Sequence, residues 1–133
     1  MDLKDLTPKT DDVVVTLNHP STSLPILNDG DNTPMTITMY SPYSKEYKKV
    51  QHEQITKRLQ KSQKSGNDAV DYGELEDASL EILAKVTKSW DITLGGEKPK
   101  LTVAKAKSLY EDVFWIKTQV EEAGTKTLDF MKA

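Results

Sequence analysis

The chain contains no cysteine. That absence excludes disulfides, thiol nucleophiles and thiolate metal sites together, and it fits a reducing compartment. Histidine is scarce, with only His19 and His52. A metal site needs histidine, cysteine or carboxylate clustered at ligand spacing, and neither histidine has such neighbours. A serine–histidine–aspartate arrangement would have to be assembled from residues that carry no local motif. No apolar run reaches the ~20 residues of a membrane span. The opening Met1-Asp2-Leu3-Lys4-Asp5 lacks the apolar core of a signal peptide. Positive charge is not in excess either: 18 basic residues face 21 acidic ones, for a net charge of −3. That balance argues against general nucleic-acid binding. The expectation is a non-enzymatic protein, without metal or cofactor, that works by binding other proteins.

What is present suits one domain. At 133 residues the chain is too short for two large ones. Hydrophobic residues make up 36%, which allows a modest core, and such a thin core raises the expectation of a partner or of self-association. Residues 1–10 are polar and read as a loose arm before a single domain over 11–133. Within it, 11–40 is β-rich. Val13 to Leu17 is a β-branched run, His19 to Ser23 a turn, and Leu24 to Leu27 a short extended piece in which Pro25 suits an edge. Asn28 to Asn32 is a turn, and Met35 to Met39 alternates as a half-buried strand does. The expectation is an antiparallel sheet with a hairpin near Gly30.

Residues 41–133 read as helical. Ser41 and Pro42 suit a cap and a first helical position. A helix then runs from Tyr43 to about Lys64, with Tyr43, Tyr47, Val50, Ile55 and Leu59 as an imperfect apolar stripe. A second helix is expected over Gly73–Trp90, from the spacing of Leu75, Ser79, Ile82, Leu83, Val86 and Trp90. Its acidic start and its Lys85 and Lys88 complement the helix dipole. Trp90 to Leu94 alternates briefly. Thr102 is placed to cap a third helix from Val103 to about Ala123, with Gly124 as its terminator and Leu128, Phe130 and Met131 in a last short helix. A β-rich front and an α-rich back make the fold class α+β.

No short motif is complete. Asp29-Gly30-Asp31-Asn32 opens like a calcium loop, but the ligands required further on are missing. Gly95-Gly96-Glu97-Lys98-Pro99 lacks the spacing and the Lys-Ser/Thr end of a phosphate loop. The basic run from Lys45 to Lys64, which includes Lys57 and Arg58, faces an acidic stretch from Asp68 to Glu81. It reads as a solvated face neutralised within the molecule, or as a contact for an acidic protein partner. Phe114 and Trp115 are adjacent, so one helix cannot bury both in one core. An exposed Trp115 would be a binding anchor.

The chain resembles the small tail assembly chaperones of long-tailed bacteriophages and prophages. The likeness begins at Val13-Val14-Val15-Thr16-Leu17-Asn18-His19-Pro20 and continues through Met35–Met39 into Ser41-Pro42-Tyr43-Ser44-Lys45-Glu46-Tyr47. It is best from Ala84 to Ile92, a helix ending in a Trp, followed by a Gly-containing loop, the Thr102-capped helix and the stretch Leu109 to Val120. The resemblance implies a protein of the host cell cytoplasm that binds the tape-measure protein and tail-tube subunits and self-associates, with no role for nucleic acid or membrane. Trp115, Ile116, Phe130 and Met131, with Lys57 and Arg58, are the candidate partner-binding residues. The competing readings are a structural virion protein, such as a tail-completion or connector subunit, and a nucleic-acid-binding regulator using the Lys45–Lys64 face.

Overall fold

A computed structural model of the chain describes residues 12–65 and 72–128. The expected arm, and the candidates Phe130 and Met131, lie outside the described residues. The elements run β1 (Val13–Thr16), β2 (Thr36–Met39), α1 (Lys45–Ser65), α2 (Tyr72–Lys85), β3 (Thr87–Asp91), α3 (Val103–Asp112) and α4 (Phe114–Leu128). The class is α+β, with a three-stranded antiparallel sheet in the order β1-β2-β3.

The sheet does not belong to the front of the chain alone. Its third strand comes from within the region expected to be helical. α2 stops at Lys85, five residues short of the expected end at Trp90. The reason is local. The Val86 N–H donates to the Ile82 carbonyl at 3.0 Å and the Thr87 hydroxyl to the Leu83 carbonyl at 2.8 Å. These bonds satisfy the last turn of the helix and release the chain into a strand. Val86 and Trp90 misled the helical reading because a spacing of four fits one helical turn and also two periods of a strand.

Val15 pairs with Ile37, and Ile37 with Trp90, so these three line the inner face of the sheet. Val14, Thr38 and Ser89 form the matching row on the outer face. Pairing slips between Thr38 and Met39, where Lys88 is the extra residue. That bulge lets Lys88 and Ser89 both face solvent while Thr87 turns inward. Between β1 and β2 the chain makes a detour. Ile26 is inserted between Leu17 and Met35 by backbone bonds to both, and the Asn28–Thr33 turn closes the expected hairpin at Gly30.

The helices cover the inner face of the sheet. The core joins Val15, Leu17, Ile37 and Met39 to Leu80, Leu83, Ala84 and Val86, and then to Ala106, Leu109, Tyr110, Ile116 and Val120. The single third helix expected over 103–123 is two helices. Val113 adopts φ −118° and ψ 83° between them, although its N–H still reaches the Leu109 carbonyl. No glycine or proline marks this break. The broad apolar face expected of one helix is the sum of two narrower faces. Thr102 caps α3 as expected, accepting from the Lys105 N–H at 3.1 Å. The cap of α1 is Ser44 rather than Ser41. The Ser44 hydroxyl accepts from the Tyr47 N–H at 3.2 Å and donates to the Ser41 carbonyl at 2.6 Å.

Candidate partner-binding surface

Two surfaces present apolar groups to solvent. The first is a cleft of about 270 Å³ where the end of β2, the start of α1, α2 and α4 converge. Met39, Leu83 and Val120 contribute an apolar floor. Pro42, Tyr47, Glu121, Gly124 and Thr125 form the walls. Burial, and then the nearby Glu121 carboxylate, push the Tyr47 phenol above its ordinary value. It therefore stays neutral around pH 7 and offers an O–H donor at the rim. Such a cleft holds an apolar side chain and orients its neighbours with a few polar groups.

Gly124 was expected to end a helix but lies inside α4, which continues to Leu128. An added Cβ would meet nothing within 4 Å. Gly124→Ala is therefore expected to stabilise the domain by about 0.5–1 kcal/mol, through the lower backbone entropy of the unfolded chain. An upward shift of the urea midpoint with an unchanged slope would show it.

The second surface is the outward side of α1. This helix has 21 residues, or about 31 Å of length. It is anchored near its start by half-buried Tyr47 and Val50 and by buried Gln54. Ile55 and Leu59 are 57% and 59% exposed. The stripe is imperfect because it is two stripes: five residues separate Val50 from Ile55, which turns the chain about 140° around the helix.

The structure distributes the sequence-based candidates unevenly. Ile116 is buried in the core at 7% exposure, so it is corrected from a contact residue to a packing residue. Trp115 is half-buried against that core, and its neighbour Phe114 is the exposed aromatic at 72%. The outward aromatic is thus Phe114, where Trp115 was expected. Lys57 is exposed and reaches Glu81 of α2 at 3.6 Å. Arg58, beside it, is also exposed. The pair lies about 15 Å along α1 from Tyr47 and the cleft. Ile55 and Leu59 were seen in the sequence only as stripe residues; the five-residue gap was the signal that they face outward.

Elsewhere, polar groups serve the fold. The His19 imidazole accepts from the Ser21 and Thr22 N–H groups and closes its turn. Asp29 to Asn32 sits in a polar junction, not a cation loop. Lys98 bridges Asp31 at 2.9 Å and Asp91 at 3.2 Å. The hydrogen bond from Lys98, followed by those from Thr33, holds the Asp31 carboxyl down at about 2. Among the described residues, no group of three His, Asp or Glu side chains is placed to hold a metal ion, and no helix is long and apolar enough to cross a membrane. Comparison with protein-family models, curated proteins and solved structures gives no match.

Proposed function

We propose that this chain is a tail assembly chaperone of a long-tailed bacteriophage or prophage. In this reading it works in the host cytoplasm, self-associates, and keeps the tape-measure protein soluble while tail-tube subunits assemble around it. The sequence resemblance supports this role. The structural observation behind it is that α1 carries Ile55 and Leu59, an i, i+4 pair, into solvent on the part of the helix beyond its anchoring residues. Such a pair is the minimal apolar contact for a client helix, and shielding client helices reversibly is what a chaperone of an elongated helical protein must do. The cleft beside α4 supplies a second apolar contact of limited size.

The test is recovery of the tagged protein from infected or induced cells, with mass spectrometry of the eluate and of purified virions. Tape-measure and tube proteins in the eluate, with this chain absent from virions, are the expected result. Abundant chain in the virions would make it a structural subunit and overturn the reading.

A further inference from the structure

We infer that the outward face of α1 is a docking strip for an acidic amphipathic helix of a partner protein. This deepens the chaperone reading and rests on it only in requiring a protein partner. Lys48, His52, Ile55 and Leu59 are all exposed and follow one another at i, i+4, i+7 and i+11. That spacing puts them on one side of the helix, opposite Val50 and Gln54. Arg58 flanks the Ile55–Leu59 pair on one side, Thr56 flanks it on the other, and Lys45 and Lys48 lie at the N-terminal end of the strip. Glu46 and Glu53 fall on the far flank. The helix as a whole carries seven Lys and Arg residues against these two glutamates.

An apolar pair with cations at one end and on one flank selects its occupant by charge. Apolar residues give the contact, and these cations reward carboxylates at its edges while rejecting lysine-rich helices. A second copy of α1 is excluded by like charge. The acidic helix α2 of a second copy is unsuitable for a different reason. It buries Leu80, Leu83 and Ala84 in its own core and has Asp77 paired to Lys107 and Glu81 to Lys57 and Lys85. Nucleic acid gains nothing from Ile55 and Leu59 at the centre of the strip, and it would meet the carboxylates of α2 next to Lys57. A helix of about three turns spans the strip from Lys48 to Leu59.

The experiment uses the full chain and two dye-labelled synthetic helical peptides with the same leucine spacing, one flanked by glutamates and one by lysines. Fluorescence anisotropy is expected to show binding of the glutamate peptide, weakened by added salt, and none of the lysine peptide. Leu59→Ser and Arg58→Glu should each weaken it about tenfold. Both positions are exposed, so circular dichroism should show both variants folded. Equal binding of the two peptides, or affinities unchanged in both variants, would overturn the inference. So would displacement of the glutamate peptide by a DNA duplex or by phosphatidylglycerol vesicles that bind more tightly. The two readings fail separately. Tape-measure protein captured equally well by Leu59→Ser and Arg58→Glu sinks the strip and leaves the chaperone standing. Peptide binding that obeys these rules, without tape-measure capture, does the reverse.

Discussion

Replacing Tyr110 by alanine is expected to destabilise the domain by about 3–5 kcal/mol, the range for deleting a buried aromatic ring. A domain of this size has roughly 5–15 kcal/mol to lose, so the variant should be partly unfolded at moderate temperature. Tyr110 is 1% exposed and sits in α3 against the start of β3. Its hydroxyl lies 2.6 Å from the Thr87 hydroxyl. Thr87 has one proton and gives it to the Leu83 carbonyl, so Tyr110 must be the donor in this pair. Tyr110→Phe keeps the ring and removes only that donor, at a cost of about 1 kcal/mol.

The phenol also gives the pair a signature in alkali. Burial pushes its pKa up to about 12, against an ordinary value of 10.0. The folded state therefore favours the protonated form. Its contribution is fully present below pH 10 and is lost as pH rises through 12. About 1.4 kcal/mol of it is gone near pH 11, enough to cancel the advantage of tyrosine over phenylalanine. Urea titrations of wild type and Tyr110→Phe should converge near that pH and cross above it. Parallel curves at every pH would show that the phenol is not buried in the folded protein.

The second large effect is expected at Asn28, which is 1% exposed in a turn whose neighbours are all solvated. Its amide nitrogen reaches the Thr33 and Asp91 carbonyls, and its side-chain oxygen accepts from the Thr93 hydroxyl at 2.9 Å. One side chain thus ties the detour between β1 and β2 to the end of β3, some sixty residues away. Asn28→Ala removes these bonds at a junction whose partners are only partly buried, and opens a gap where the one fully buried side chain of the turn stood. The expected cost is about 2–3 kcal/mol. Asn28→Asp retains the acceptor for Thr93 but places a charge beside the Asp91 carboxylate and loses both donations. It should be at least as damaging as alanine. Chemical denaturation followed by tryptophan fluorescence would measure both, and losses below about 0.5 kcal/mol would mean that the junction is not closed in solution.

How much of this was legible in the sequence depends on how local each determinant is. The β1 and β2 strands were readable because the β-branched run at Val13 and the alternation at Met35 carry their own periodicity. The cap of α3 at Thr102 was equally plain, since one side chain and one N–H three residues on define it. β3 was hidden because its cause is not local. The segment becomes a strand by pairing with β2, about fifty residues earlier in the chain, and its Val86–Trp90 spacing satisfied a helix as well. The break at Val113 was hidden for a similar reason: both flanking segments favour helix, and only their packing against different partners bends the chain. At the surface, the adjacency of Phe114 and Trp115 signalled a conflict, but the outward position was expected at Trp115 and falls at Phe114. Lys57 stood in the sequence as a partner-binding candidate, and its pairing with Glu81 follows the other reading of that basic run, neutralisation by the adjoining acidic stretch. Asn28 looked like a turn residue and nothing more, because the residues that make it a junction lie on the far side of the sheet.

Gln119 gives the sheet a boundary of an unusual kind. Successive residues of an edge strand point their backbone groups alternately inward and outward, and Leu17 points its own toward Met35 and Ile26. Asn18 therefore faces away from β2. There its N–H donates to the Gln119 Oε1 at 2.9 Å, and its carbonyl accepts from the Gln119 Nε2 at 2.7 Å. A single amide on α4 presents one donor and one acceptor, as the backbone of an adjoining strand would. At this point the sheet ends on an imitation strand that cannot be extended. Open strand edges are where unrelated chains join and precipitate. By closing one with a glutamine, the fold removes the Asn18 position from strand pairing.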